Sequence, residues 1–128
     1  MSIRKKFDEA HATYKRHGWR LVRVLARPAS LEEMRATATS DDARASNDAG
    51  ATYEGVAVSE AEVDAMWFTR ASQGGREAWE LRLVAEPPYA LFELFEPDES
   101  EEDREDVRRE MEARLREYAS PREGGSQQ

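Results

Sequence analysis

The sequence predicts an α+β domain: an antiparallel sheet of four to five strands packed against an N-terminal helix, residues 3–17, and a C-terminal helix, residues 98–119. Two observations predict this fold. Apolar residues recur at helical spacing near both ends of the chain, and three apolar runs between residues 66 and 96 are separated by turn residues. We assign residues 1–119 to this single domain and residues 120–128 (SPREGGSQQ) to a disordered tail.

The N-terminal helix is predicted by an apolar stripe with spacings of four, three and four residues. The stripe consists of Ile3, Phe7, Ala10 and Tyr14. Ser2 is a suitable N-cap, and Gly18 can adopt the left-handed conformation that ends a helix. The helix therefore has a defined start, a buried face and a defined end.

The segment after this helix contains a strand and a second helix. Residues 19–26 (WRLVRVLA) are rich in β-branched and aromatic side chains, which favour a strand, and Pro28 ends it. Residues 30–33 (SLEE) form a capping box, which predicts that a short helix begins there.

The middle of the chain is the least structured part of the prediction. Residues 37–52 contain no large apolar side chain, so we expect a flexible insert that has nothing to bury. A further short strand is predicted at residues 53–58. A second capping box at residues 59–62 (SEAE) predicts a helix of about two turns.

Residues 66–96 give the clearest strand pattern. Three antiparallel strands are predicted at residues 66–71, 77–85 and 89–96, joined by turns at residues 72–75 and 86–88.

Hairpin geometry predicts which of these side chains share a face. With residues 73 and 74 as the first loop, Phe68 lies opposite Trp79; with residues 86–88 as the second, Leu83 lies opposite Leu91. The core face then carries Met66, Phe68, Trp79, Leu81, Leu83, Tyr89, Leu91 and Phe95. The second face carries Trp67, Thr69, Glu80, Arg82, Phe92 and Leu94. We expect both terminal helices to pack on the core face.

The C-terminal helix is predicted to begin near Asp98, directly after Pro97. Its apolar stripe consists of Val107, Met111, Leu115 and Tyr118. Acidic residues are concentrated at its start and arginines at its end, as the helix dipole favours.

Composition excludes several classes of function. The chain has no cysteine, which rules out disulfides, thiolate metal sites and cysteine nucleophiles. His11 and His17 are six residues apart and would point about 120° apart on a helix, so we expect no metal site and no cofactor. Neither a signal peptide nor a long apolar segment is visible, which predicts a soluble, cytoplasmic protein.

Charge narrows the choice of partners. The 128 residues contain 27 acids and 19 bases, a net charge of -8, which disfavours nucleic acid and anionic membranes. The basic residues are most concentrated in residues 1–27. Nucleic-acid binding through the first helix is therefore a third hypothesis, with the cations Arg4, Lys5, Lys6, Lys15 and Arg16.

Glu93 stands out as a carboxylate between two large apolar residues. The predicted register places it on the core face opposite Leu81, where a buried charge requires a partner. We expect a buried salt bridge, with Arg23 or an arginine of the first helix as the cation. The alternative is a pocket around Glu93.

The second sheet face has two interpretations. It is either a second core face, with helices on both sides of the sheet, or an interface in which aromatics lie beside an arginine. The candidate binding residues are Trp67, Glu80, Arg82, Phe92 and Leu94.

The leading functional hypothesis is a non-catalytic acidic protein-interaction module. It would bind a basic or partly unfolded protein partner, or a second copy of itself as a homodimer. In size, charge and order of elements the chain resembles bacterial type III secretion chaperones and toxin-immunity proteins, an analogy of layout that no specific residues carry. The alternative is a small-molecule-binding domain or a carboxylate-dependent enzyme with its pocket at Glu93.

Overall fold

The computed structural model describes residues 2–36, 52–85 and 87–119. Within them the predicted α+β fold is confirmed. The helices are α1 (Ile3–Arg16), α2 (Pro28–Ala36) and α3 (Glu101–Ala119). The strands are β1 (Arg20–Ala26), β2 (Thr52–Tyr53), β3 (Val56–Glu60), β4 (Ala65–Ala71), β5 (Glu77–Leu83) and β6 (Tyr89–Phe95). The predicted tail and residues 37–51 of the predicted insert lie outside the described residues.

The six strands form one sheet in the order β2-β3-β1-β4-β5-β6. One more strand is present than expected, because residues 53–58 are divided by a tight turn. Glu54 and Gly55 both have positive φ there, 51° and 78°, as a two-residue hairpin loop requires. The sheet is also mixed rather than antiparallel, since β1 pairs in parallel with β3. The long connection between these two strands includes α2, which fits the crossover that a parallel pair needs.

The sheet has a core on each face, and the helices are divided between them. The core on the face that carries α1 and α2 consists of Phe7, Ala10, Leu21, Val24, Met34, Tyr53, Met66, Phe68 and Val84. The core on the face that carries α3 consists of Leu25, Val63, Ala65, Trp67, Leu81, Leu83, Met111 and Leu115. The expectation that both terminal helices share one face is therefore wrong. Residues 65–69 of β4 are all buried, so both faces of this strand need cover.

The first hairpin differs from its predicted register by one residue. Phe68 pairs with Glu80 rather than Trp79, and Trp67 pairs with Leu81. The connection is a three-residue turn, Gln73–Gly75, closed by a hydrogen bond from the Ser72 amide to the Arg76 carbonyl at 2.9 Å. An odd loop length shifts the register by one, which moves every β4 side chain to the opposite face.

The second hairpin differs by two residues, so its side chains keep their predicted faces. Leu81 pairs with Leu91, and Leu83 pairs with Tyr89.

Helix α1 begins at Ile3 as predicted and ends at Arg16, one residue before the predicted end. The Ser2 hydroxyl accepts a hydrogen bond from the Lys5 amide at 3.1 Å, and Gly18 has a φ of 86°. Helix α3 begins at Glu101 instead of Asp98. Its cap is Ser100, whose hydroxyl accepts from the Asp103 amide at 3.1 Å.

The first capping box correctly predicted a short helix but misplaced its start, whereas the second predicted a helix where the structure has a strand. Ser59 and Glu60 of the second box belong to β3, because pairing with β1 keeps this segment extended, and the expected helix is absent from it. At the first box, α2 begins at Pro28, two residues early. The Ser30 hydroxyl donates to buried Asp64 at 2.9 Å, and Asp64 also accepts from the Arg27 amide at 2.8 Å. This carboxylate therefore joins the start of α2 to the segment before β4.

The two-sided core gives a stability prediction. Trp67→Ala should lower the free energy of unfolding by about 3–5 kcal/mol, because it opens a cavity beneath α3. Phe92→Ala should change it by about 0.5 kcal/mol or less, because Phe92 is exposed. Urea denaturation followed by circular dichroism measures both values, and equal losses for the two variants would contradict the division of the sheet faces.

Candidate functional site

The candidate site lies on the α1 face of the sheet, where the cover provided by α1 ends. It consists of Ala90, Phe92 and Leu94 on β6 and their neighbours Glu80 and Arg82 on β5, and we call it the open patch. Phe92 is 57% exposed and Leu94 is 37% exposed. With Tyr118, they are the exposed large apolar side chains in the described part of the chain. The sequence correctly placed both of them on one face with Glu80 and Arg82.

The polar side of the open patch is anchored to α1. The Tyr14 hydroxyl donates a short hydrogen bond to the Glu80 carboxylate, and the Tyr14 ring stacks on Phe68 with centroids 4.1 Å apart. Burial raises the pKa of Tyr14 well above its usual range, and the bond to Glu80 raises it further. Arg82 lies on the same face, and its guanidinium donates to the Leu83 carbonyl at 2.6 Å. These contacts hold Glu80 against Tyr14 at the margin of the patch.

Trp19 joins this site, although sequence reasoning did not include it. Its ring lies edge-on to Phe92, with centroids 6.4 Å apart. The Trp19 ring also lies 6.0 Å from the Tyr14 ring, measured between centroids, and the Arg70 guanidinium lies 4.7 Å from the Trp19 ring centroid. Trp19 directly precedes β1, which does not pair with β6, and residues 19 and 92 are far apart in sequence, so no local pattern could have linked them.

Trp67 lies away from the other predicted binding residues. It is fully buried on the α3 face, and its indole nitrogen donates to the Glu112 carboxylate at 2.7 Å. Its ring packs edge-on against Trp79, with centroids 5.8 Å apart. The second-core interpretation therefore describes Trp67, whereas Phe92 and Leu94 are exposed to solvent.

Glu93 lies on the α3 face of β6, paired in register with Trp79, and it is half-buried rather than fully buried. It forms no ion pair with any residue that the structure describes. Arg23, the expected partner, instead lies 3.7 Å from Glu112. Three strand spacings separate β1 from β6, about 14 Å, which is too far for the predicted salt bridge. At the edge of the sheet, water can solvate the Glu93 carboxylate.

Other site types find little support in the described ranges. No three His, Asp or Glu side chains there are grouped to hold a metal ion. None of the helices described is both long enough and apolar enough to cross a membrane.

A cleft of about 240 Å³ lies beside the open patch. It is lined by Lys6, Glu9, Ala10, Thr13, Arg82, Val84 and Ala85.

The buried tyrosines give a prediction for alkaline pH. Tyr53 donates a hydrogen bond to Asp8, and burial raises its pKa above the usual range as it does for Tyr14. Above pH of about 10 the two tyrosine hydroxyls lose their protons in the unfolded chain but keep them in the folded chain, so the free energy of unfolding should fall as pH rises.

Urea denaturation between neutral pH and pH of about 11 measures this loss. Tyr14→Phe and Tyr53→Phe should each make the loss less steep, because they remove the group that titrates. Unchanged slopes in both variants would contradict the assignment.

Comparison of the chain with protein-family models, with curated proteins and with solved structures finds no match. Function is therefore inferred from the residues of the open patch and from the charge around them.

Proposed function

We propose that the chain is a non-catalytic, acidic protein-interaction module that binds a basic or partly unfolded protein through the open patch. The observation that carries this proposal is the exposure of Phe92 and Leu94, 57% and 37%, side by side on one strand. Large apolar side chains that are exposed next to each other and flanked by charged groups are typical of protein-binding surfaces.

Charge supports the choice of a basic partner. The net charge of -8 attracts a cationic protein over a distance and accelerates its encounter with the patch. The apolar side chains of Phe92, Leu94 and Trp19 then supply short-range contact. A second copy of the chain is the less favourable partner, because two molecules of the same charge repel each other.

The alternative is a small-molecule-binding domain or a carboxylate-dependent enzyme. A tyrosine, an arginine and a carboxylate do lie together, but the carboxylate is Glu80 with Tyr14 and Arg82, rather than Glu93. The cleft that adjoins these three residues has a volume of about 240 Å³, below the ~300–1,000 Å³ usual for small-molecule sites. A cleft of about 630 Å³ lies beside Pro28 and Glu62, away from all three residues. We therefore favour the interaction module.

The proposal predicts selective binding of unfolded basic protein. The chain should bind reduced, carboxamidomethylated lysozyme, which is basic, and should bind the equivalent derivative of acidic α-lactalbumin at least about tenfold more weakly. Phe92→Ser combined with Leu94→Ser should weaken binding of the lysozyme derivative about tenfold or more, because both apolar anchors are removed. Fluorescence anisotropy of the labelled derivatives measures both effects.

Tyr118→Ala is the matched control. It removes an aromatic side chain that is 41% exposed on α3 and stacks on Tyr89 at the other end of β6, with ring centroids 3.7 Å apart. Binding should be unchanged, because Tyr118 lies on the face opposite Phe92 and Leu94. Circular dichroism establishes that each variant is folded. Equal binding of the two unfolded proteins, or full binding by the double variant, would contradict the proposed function.

A further inference from the structure

The two edges of the sheet are very different. One edge is β2, which has two residues. The other is β6, which has seven, and no described strand pairs with its outer side. An edge strand exposes unpaired amides and carbonyls, and proteins usually protect such edges with short strands, prolines, lysines or bulges. The β2 edge is protected because the strand is very short, whereas β6 is long enough to act as a template for another strand.

The protection within the sequence of β6 is limited to one charged side chain, Glu93, which lies on the α3 face. The strand reads YALFELF, with no proline and no lysine, and its prolines lie outside it at Pro87, Pro88 and Pro97. All seven of its residues pair with β5 in one continuous register without a bulge. The outer edge is therefore regular along its whole length.

The side chains of this edge differ between its two faces. Phe92 and Leu94 are exposed on the open-patch face, and Glu93 lies between them on the α3 face without an ion pair among the described residues. An added strand would have side chains directly opposite each of these, about 4.5–5.5 Å away between Cβ atoms. The edge thus favours an apolar, basic, apolar order in the strand that joins it.

The surroundings add to the same preference. Residues 87–119 contain twelve carboxylates and five arginines, a net charge of -7, nearly the whole charge of the chain. Most of these groups are on α3, which packs on the same side of β6 as Glu93. A cationic segment beside β6 would therefore gain from the field of α3 as well as from Glu93.

We propose that β6 accepts an extended segment of a basic partner protein as a seventh strand, with apolar side chains beside Phe92 and Leu94 and a lysine or arginine opposite Glu93. This inference rests on the proposed function and specifies its binding mode. Backbone hydrogen bonds supply affinity in this mode, and alternate side chains supply specificity.

A second copy fits this edge less well than a basic segment. β6 contains no lysine or arginine, so no register between two copies places a cation directly opposite Glu93. In an antiparallel pair centred on Phe92, Glu93 would face Leu91 of the other copy. Two chains of charge -8 also repel each other.

The test uses a blocked peptide with the sequence Ser-Thr-Leu-Lys-Leu-Thr-Ser. Its side-chain order is the same in both directions, so it suits parallel or antiparallel addition. Titration into the ¹⁵N-labelled full chain should shift the amide resonances of residues 89–95 at peptide concentrations up to about 1 mM. A peptide N-methylated at both leucines and at the lysine should not bind, because the methyl groups remove the three central N–H donors and obstruct strand pairing along both edges of the peptide.

A charge exchange tests the position of the cation. Glu93→Lys should weaken binding of the lysine peptide about tenfold, and a peptide with glutamate in place of lysine should restore it. Glu60→Lys is the matched control, because it makes the same charge change at an exposed side chain on β3, far from β6, and should have a much smaller effect.

The outcomes separate this binding mode from the proposed function. Equal binding of the N-methylated peptide would overturn strand addition while leaving the open patch as the binding surface. Equal losses of lysine-peptide affinity in Glu93→Lys and Glu60→Lys would overturn the placement of the peptide lysine opposite Glu93. Absence of peptide binding would overturn strand addition, and the assay with unfolded lysozyme would then decide the proposed function separately. A dimer in sedimentation that Phe92→Ser dissociates would assign the edge to a second copy instead.

Discussion

Strand β4 is buried on both faces, and this constraint determines where the helices must lie. Met66 and Phe68 face α1, and Trp67 between them faces α3. Because side chains alternate along a strand, both layers are needed to remove these three residues from water. The helices at the two ends of the chain therefore pack on opposite faces, although the chain has few aliphatic residues with which to build two cores.

The open patch follows from the widths of the helices and the sheet. A helix with its side chains is about 10–12 Å wide, and six strands span about 24–29 Å. On the face that carries α1 and α2, two helices cover about four strands, and α1 reaches β5 through the bond between Tyr14 and Glu80. Cover ends before β6, which leaves Phe92 and Leu94 exposed.

The acidic charge of the C-terminal part is compatible with the fold because much of it is paired within α3. The buried guanidinium of Arg108 binds Glu101 and Glu105, and it lies 4.5 Å from the Trp79 ring centroid. Its hydrogen bond to Glu105 holds the pKa of that carboxyl below its usual range. The remaining acids still outnumber the bases around β6, so the exposed edge of the sheet lies in a negative field.

Local patterns in the sequence determined the existence of the three helices and of β1, β4, β5 and β6, together with the two apolar stripes and the side-chain alternation of β5 and β6. Helix caps and period-two alternation depend on neighbouring residues, so Ser2, Gly18 and the shared face of Phe92 and Leu94 were predictable. The tertiary structure decided the rest. A turn of three residues instead of two placed Trp67 on the opposite face from Phe92, and the width of the sheet left β6 exposed. Loop length, parallel pairing of β1 with β3 and the spatial order of the strands depend on contacts between residues distant in sequence, which no local pattern encodes.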